Sequence, residues 1–255
     1  MGRLLILLYS AVAYVFSLAS FVYAVGWLGD VPLLPTTIDG QPGRPLLGAL
    51  LVDVGLLGIF AVQHSVMARP GFKQVWTRIV PPAAERSTYV LLTGACLFAI
   101  CFFWRSLPGV VWRLEGGTAA VAWALFALGW VIVLASTFMV SHAELFGLRQ
   151  AVRALRGTGS EPPEFRARWL YRIVRHPLML GFLIAFWSAP TMSASRLAFA
   201  LITTAYILVA LQWEERDLRR SLGARYSEYQ ARVPMLLPRV FKRNGGNAAA
   251  PVTRS

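Results

Sequence analysis

The chain has three histidines, and each lies at or close to one end of an apolar segment. They are His64, His142 and His176. Glutamates accompany them: Glu144 comes two residues after His142, and Glu214 and Glu215 directly follow the last long apolar segment. Imidazole and carboxylate groups are common general acids and bases, and both also bind metal ions. If these segments meet, their side chains suit proton-transfer chemistry or a metal site.

Long apolar segments must position these groups. Hydrophobic residues make up 56% of the 255 residues, above the roughly 45–50% of soluble domains, and crossing a bilayer takes about 20 apolar residues. The sequence predicts an all-α, polytopic membrane bundle of five to six helices, the last two forming a helical hairpin. Five predicted spans cover residues 4–28, 46–68, 87–104, 118–140 and 197–213. The segment 178–189 is short for a crossing and suits a tilted half of the hairpin, a re-entrant piece, or a helix extended backward through Pro177.

The arginines indicate the orientation. Segments 69–86 and 149–175 carry most of the loop arginines, whereas 29–45 and 105–117 carry few. Cytoplasmic loops are enriched in Lys and Arg, so both basic segments are predicted inside. Six spans then place the N- and C-termini in the cytosol, most simply at the cell inner membrane. The net charge of +13 suits lipid headgroups rather than nucleic acid, because it forms no basic domain.

Two helices are predicted outside the spans. Apolar residues recur at helical spacing among arginines over 165–175, which indicates a cytosolic amphipathic helix. Residues 214–232 combine helix formers with an apolar face and end before Pro234, which indicates a C-terminal capping helix. We expect residues 1–243 to form a single domain and 244–255 a disordered tail.

Other functional signatures are weak or missing. Three scattered histidines without an HExxH motif do not predict a metal site. Neither GxGxxG nor GxxxxGK[ST] occurs, so a soluble nucleotide-binding fold is not expected. Asp53 lies mid-span, about 16 Å along the helix from His64, and we expect a neighbouring helix to satisfy it.

The C-terminal third resembles a known superfamily. The run RWLYRIVRHPLMLGF, followed by EE, LG, YxxY and VPxxxP, is similar to the isoprenylcysteine carboxyl methyltransferase superfamily of integral membrane enzymes. Upstream, VQHSVMARPGFK, ERSTYVLLT and STFMVSHAELFGLRQ resemble its methanethiol S-methyltransferase branch. The resemblance implies transfer of a methyl group from S-adenosylmethionine to methanethiol, which gives dimethyl sulfide. Alternatives are a larger lipid-like thiol, carboxylate or amine acceptor, or a non-enzymatic transporter or assembly factor.

The resemblance also implies roles for the site residues, mainly within 165–240. Arg175 and His176 would face the cofactor's carboxylate, and Glu214 and Glu215 its ammonium or ribose hydroxyls. Pro177 would fix the backbone turn, and Tyr226 and Tyr229 would help to cover the cofactor. The superfamily usually has a tyrosine where this chain has Met179, so that ring's role is not carried over. For these charged residues, headgroup anchoring and helix-dipole stabilisation are the alternatives without a site.

The acceptor thiol must lose its proton, because a thiol with a pKa of about 8.5 is only ~3% thiolate at pH 7. We hypothesise that His142 or His64 takes the proton and that Glu144 orients the imidazole. Gln63, Arg149 and Gln150 are candidates to bridge this network. The expected partners are a small thiol and membrane lipids, without an obligate protein partner or a metal.

Overall fold

The computed structural model describes residues 2–40, 45–158 and 169–238, and most of these residues are helical. Five helices are long and apolar enough to cross a membrane. They are α1 (Arg3–Leu28), α2 (Leu46–Ala68), α4 (Pro82–Phe103), α5 (Gly116–Val140) and α9 (Ala194–Leu222). Shorter helices are α3 (Pro70–Trp76), α6 (His142–Leu145), α7 (Leu148–Arg156), α8 (Pro177–Trp187) and α10 (Ala224–Arg232). The predicted all-α polytopic bundle is confirmed.

Most helix ends follow from local sequence. The limits of α2 agree with the predicted span, and α1 and α5 begin one and two residues earlier than predicted. Helix α4 starts at Pro82, five residues before its predicted span, because proline is favoured in the first turn, where its missing N–H has no helical partner. Polar residues such as Glu85 and Arg86 therefore lie within the first turns of a spanning helix.

The uncertain sixth segment is a short helix followed by extended chain. Helix α8 begins at Pro177 and does not continue backward through it. After Trp187 the chain reaches strand β2 (Thr191–Ser193), which pairs antiparallel with β1 (Val110–Arg113), between α4 and α5. Eleven helical residues at 1.5 Å and a few extended ones at about 3.3 Å are enough to traverse a bilayer. The chain thus crosses between the two ends of the bundle six times, and α1 begins at the same end where α9 finishes.

We call the end of the bundle that carries α3, α6, α7 and α10 the site end, and the end that carries β1 and β2 the strand end. In the part of the bundle between these two ends, small residues allow helices to pack closely. A Cβ on Gly129 of α5 would lie 2.6 Å from the backbone nitrogen of Ala185, and one on Gly181 of α8 would lie 2.7 Å from the Gly129 carbonyl oxygen. Helices α5 and α8 therefore pack backbone against backbone.

The C-terminal region differs from its predicted form. The predicted capping helix over 214–232 is divided: its first part continues α9 to Leu222, and α10 forms the second. The break lies at Gly223, whose φ of 56° and ψ of −132° suit glycine. This break turns α10 back onto α9, so α10 covers the site end as predicted.

The predicted amphipathic helix over 165–175 is not an α-helix in its described part. Residues 159–168 lie outside the described residues, and Trp169–Arg172 form a single 3-10 turn. The backbone N–H groups of Arg175 and His176 donate to the carbonyls of Pro234 and Met235 at 2.9 and 3.2 Å. This pairing with a distant segment replaces helical hydrogen bonding. The predicted disordered tail, 244–255, lies outside the described residues.

At the strand end, Asp53 accepts a hydrogen bond from the backbone N–H of Arg105 at 2.9 Å. The partner is the chain just beyond the end of α4 rather than a neighbouring helix, and the other carboxylate oxygen, Oδ2, is buried without a hydrogen-bond partner among the described residues, so the expectation is met for one oxygen only.

Candidate functional site

His142 stands where α5 ends and the chain turns. Ser141, with φ of 106°, separates α5 from α6, and the His142 ring stacks on Phe138 at 4.7 Å between centroids. Its Nδ1 lies 3.0 Å from Thr137 Oγ1, and its Nε2 lies 3.1 Å from the Tyr14 hydroxyl of α1. Burial lowers the pKa of His142 below its ordinary value of 6.5. The ring is therefore mostly neutral at pH 7 and able to accept a proton.

Glu144 faces away from this arrangement of hydroxyls. Its carboxylate pairs with Arg149 at 3.4 Å and Arg153 at 3.9 Å, and its carbonyl accepts from Gln150 at 3.1 Å. Among the described hydrogen bonds, the His142 imidazole is held by Tyr14 and Thr137. Glu144 thus holds α7 next to α6, and the groups at hydrogen-bonding distance from the His142 ring nitrogens are the two hydroxyls.

His64 lies four residues before the end of α2, in surroundings that resemble those of His142. Its ring stacks on Phe60 at 5.2 Å, with 11° between the planes. The Tyr89 hydroxyl lies 3.0 Å from the ring nitrogens, and Thr93 Oγ1 lies 3.4 Å from Nδ1. Gln63 donates to the Tyr89 carbonyl at 3.4 Å. Both histidines therefore combine a stacked phenylalanine, a threonine and a tyrosine from another helix.

Two contacts join the neighbourhoods of His64 and His142. Phe146 packs against the buried cluster that includes Tyr89, and its ring lies 4.6 Å from that of His142. Arg86 lies over the Tyr89 ring at 4.9 Å and donates to the Leu145 carbonyl at 2.8 Å. His64 and His142, the two candidate bases, are thus connected through contacting residues at the site end.

Glu215 of α9 is the centre of a third cluster, built with the two residues that precede α8 and with α10. Its Oε1 accepts from Arg175 Nε at 2.7 Å, His176 Nε2 at 2.8 Å and the Tyr226 hydroxyl at 3.1 Å. Its Oε2 accepts from Gln230. Glu215 is 4% exposed, so this carboxylate is buried with its hydrogen-bonding capacity used inside the protein.

The backbone around this cluster is held on both sides. Pro177 is buried at the first position of α8, next to His176. Arg175 Nη1 donates to the carbonyls of Gln230 and Val233, and the Tyr229 hydroxyl donates to the Tyr171 carbonyl. Burial raises the pKa of Tyr229 to about 12, so its hydroxyl remains a donor at neutral pH. The segment Arg175–Pro177 is therefore held against α10 by hydrogen bonds.

Glu214 is the exposed member of the glutamate pair. Its side chain is 50% exposed, and its Oε2 lies 3.7 Å from His176 Nδ1. It also interacts electrostatically with Tyr89 of α4 and with Tyr171. Glu214 thus lies beside the Glu215 cluster and leaves half of its side chain exposed.

The residues that sequence reasoning did not single out are the hydroxyl partners and linkers of these clusters. Tyr14, Thr137, Tyr89 and Thr93 hold the two imidazoles, and Gln230 completes the shell of Glu215. A signal existed for Tyr89, because ERSTYVLLT places it three residues after a charged side chain in a spanning helix. Tyr14 carries no such signal.

In the described ranges, no group of three or more His, Cys, Asp and Glu side chains is arranged to hold a metal ion. A cavity of about 530 Å³ lies at the strand end between α5 and α8, lined by apolar residues such as Leu114, Val121 and Trp187. It contains none of the predicted site residues.

The fold and the side-chain clusters define a class: a multi-pass helical membrane protein with histidine and glutamate side chains gathered at one end of the bundle. Residues 54–211 match the family described as NnrU protein. The chain is 53% identical over 239 residues to a methanethiol S-methyltransferase of Mycobacterium tuberculosis, which covers 93% of this chain and 98% of that protein. It is 52% identical over 242 residues to methanethiol S-methyltransferase 2 of Bradyrhizobium diazoefficiens, covering 95% and 93% of the two chains. The chain belongs to the NnrU family and to the methanethiol S-methyltransferases.

A more distant relative is Nurim of Rattus norvegicus, 32% identical over 186 residues, or 69% of this chain and 70% of that protein. No solved structure matches the chain. The resemblance read from the sequence motifs is confirmed.

Proposed function

We propose that the protein transfers the methyl group of S-adenosylmethionine to methanethiol, forming dimethyl sulfide and S-adenosylhomocysteine. The observation that carries this proposal is the 44–53% identity, over more than nine tenths of this chain, to proteins named methanethiol S-methyltransferase. The site's mixed charges and neutral imidazole suit a positively charged methyl donor and a thiol acceptor.

The donor occupies the region around Glu214, Arg175 and His176. S-adenosylmethionine supplies an electrophilic methyl on a sulfonium and carries an ammonium and a carboxylate, so its site needs charges of both signs. Glu214 is exposed enough to bind the ammonium or a ribose hydroxyl. Glu215 acts on the donor indirectly, because it positions Arg175, His176 and Tyr226 by direct hydrogen bonds. Pro177 and Tyr229 hold the surrounding backbone.

The acceptor thiol gives its proton to His142 or His64 before it attacks. A neutral imidazole held by hydroxyl groups is suited to accept that proton. Thiolate and sulfonium charges cancel as the new S–C bond forms, so a water-poor site favours the transition state over the separated ions. Replacement by Gln of the histidine that takes this proton is expected to lower turnover at least tenfold at unchanged folding.

The site end faces the cytosol in this proposal, with both termini inside and the bundle in the cell inner membrane. The arginines next to the site end support this orientation and also contact anionic headgroups. The charged donor then enters from the cytosol, while the small apolar thiol arrives through the lipid. No metal and no obligate protein partner are required.

Headspace detection of dimethyl sulfide tests the function. Purified protein in detergent or nanodiscs receives S-adenosylmethionine and methanethiol, with an Arg175→Gln variant as the matched control. We expect dimethyl sulfide from the wild type and at least tenfold less from the variant. Absence of dimethyl sulfide, with methyl transfer to an isoprenyl thiol, a carboxylate or an amine instead, would replace the acceptor. Absence of donor binding by calorimetry would favour a non-enzymatic role.

Cysteine labelling tests the orientation in a background where Cys96 and Cys101 are replaced by Ala. Ser221→Cys at the site end and Leu33→Cys at the strand end are both exposed positions. In intact cells an impermeant maleimide should label only the position at 33. Labelling at 221 from outside would invert the proposed topology.

A further inference from the structure

The hydrogen bonds around His142 define which of its nitrogens carries the proton. A threonine hydroxyl has a single hydrogen to donate, and Thr137 Oγ1 donates it to the Leu134 carbonyl at 2.8 Å. The 3.0 Å contact between Thr137 Oγ1 and His142 Nδ1 therefore requires Nδ1 to be the donor. In a neutral ring this leaves Nε2 with its lone pair.

The lone pair on Nε2 is not open to a ligand. The Tyr14 hydroxyl lies 3.1 Å away and donates to it. The Tyr14 ring also meets the His142 and Phe146 rings edge-on, with centroids 5.8 and 5.4 Å apart. These contacts hold the Tyr14 hydroxyl in place at Nε2. Because its one proton goes to Nε2, its oxygen is left to accept a hydrogen bond from a group that approaches.

We infer that Tyr14 is a further catalytic residue, whose hydroxyl relays the proton of the acceptor thiol to His142 Nε2. The inference rests on the proposed function. As the thiol gives its S–H proton to the Tyr14 oxygen, the Tyr14 O–H proton moves to Nε2, leaving a thiolate, a neutral tyrosine and an imidazolium. The thiolate electron pair then forms a bond to the methyl carbon of the sulfonium donor. The old C–S bond breaks with its electrons on the donor sulfur, and the imidazolium later releases its proton to water.

The relay suits the chemistry of the two groups. Phenols ordinarily titrate near pH 10, in the range of simple alkyl thiols, so a proton passes between them without a large mismatch. Thr137 acts as a positioning residue, because it selects the tautomer whose Nε2 accepts. The charged groups near this imidazole are Glu144 on α6, Arg149 and Arg153 on α7, and Arg86 on α4.

Tyr14→Phe tests the relay, because it keeps the ring packing and removes only the hydroxyl. At pH 7 we expect kcat with methanethiol to fall at least tenfold, with the KM for the donor unchanged. The loss should shrink as the pH is raised, because thiolate from solution then bypasses the relay. Tyr9→Phe is the matched control: Tyr9 lies on the same helix and donates to Thr88 Oγ1 at 2.9 Å, and its loss should leave kcat unchanged. Thr137→Val should lower kcat roughly 2- to 10-fold.

A more acidic thiol substrate distinguishes loss of proton transfer in Tyr14→Phe from structural damage by the substitution. Trifluoroethanethiol is more acidic than methanethiol, because its fluorines withdraw electrons, so the Tyr14→Phe deficit should be much smaller with it. A deficit equal for both thiols and constant with pH would overturn the relay, as would a wild-type rate in Tyr14→Phe. If that variant does not fold, the wild-type protein carrying 3-fluorotyrosine keeps the test: an unchanged pH profile of kcat would overturn the relay. A wild-type protein that makes no dimethyl sulfide would instead refute the proposed function.

Discussion

The adjacent glutamates Glu214 and Glu215 should respond to substitution in opposite ways. Glu215 is buried and accepts from Arg175, His176, Tyr226 and Gln230. In Glu215→Ala these donors lose their shared acceptor inside the protein, where removing one partner of a buried ion pair costs about 3–5 kcal/mol. Because two of the four donors lie on α10, the cost should appear first as release of that helix from α9.

Hydrogen exchange measured by mass spectrometry reports this release directly. At about 1.4 kcal/mol per tenfold change, a loss of 3–5 kcal/mol lowers the protection of α10 amides by roughly 10²- to 4 × 10³-fold, limited by their protection in the wild type. Glu215→Gln should show a smaller loss, because its amide oxygen can still accept from the donors that now meet Oε1.

Glu214 provides the matched control. Its carboxylate is half exposed and 3.7 Å from its nearest partner, so Glu214→Gln should change α10 protection by less than about 1 kcal/mol. Donor affinity should instead weaken about tenfold, in line with loss of one charged contact. Unchanged α10 exchange in Glu215→Ala would refute the structural assignment, and so would equal loosening in Glu214→Gln.

Two further predictions concern pH and helix packing. Because burial lowers the pKa of His142 below 6.5, kcat should stay level at neutral pH and fall once the solution is acidified below that lowered pKa, where the protonated ring no longer accepts. Stability should begin to decline earlier on acidification, as the pH falls below the ordinary value of 6.5, because the unfolded chain takes up a proton that the folded ring still resists. Gly181→Ala should destabilise the protein by about 1–3 kcal/mol, since its Cβ would lie 2.7 Å from the Gly129 carbonyl oxygen.

The controls for these two predictions come from the same chain. His142→Gln should remove the acidic limb of the pH profile, and an unchanged limb would assign it to another group. Gly58 on α2 has no atom within 4 Å of a built Cβ, so Gly58→Ala should leave the melting temperature unchanged or slightly raised. Equal melting temperatures for the Gly181 and Gly58 variants would contradict the close α5–α8 packing.

The spans were predictable because hydrophobic length sets them, but the helix ends were less so. Residues 46–68 form α2 as expected, whereas α9 continues nine residues beyond its predicted limit at Trp213. The length of an apolar segment indicates where the membrane ends and not where the helix ends. Helix α9 continues because the Glu, Arg and Leu residues that follow are good helix formers. Over 169–175, the described part of the predicted amphipathic helix, the α-helix is absent for a non-local reason: Arg175 and His176 pair with residues 234–235, and local periodicity does not contain that contact.

For the site, the end of the bundle that carries its residues was predictable, but the helices that contact one another there were not. Charge bias and span ends placed all three histidines at one end of the bundle, where the structure has them. The expected Glu144–His142 contact relied on closeness in sequence, yet residues two apart on a helix do not face each other. The hydroxyl of Tyr14 comes from a helix 128 residues away in sequence, and hydropathy does not encode which helices are neighbours.

The similar surroundings of His142 and His64 lead to one last prediction, which assigns them to different substrates. Phe138, stacked on His142, is 63% exposed near the end of the spanning helix α5, so we expect an apolar thiol arriving through the membrane to meet this imidazole first. His64 instead contacts Tyr89, which interacts electrostatically with Glu214 on the donor side. His142→Gln should therefore lower kcat at least tenfold with little change in donor KM, and His64→Gln should chiefly raise donor KM. The reverse pattern would exchange the two roles, since each variant removes the same group from a similar setting.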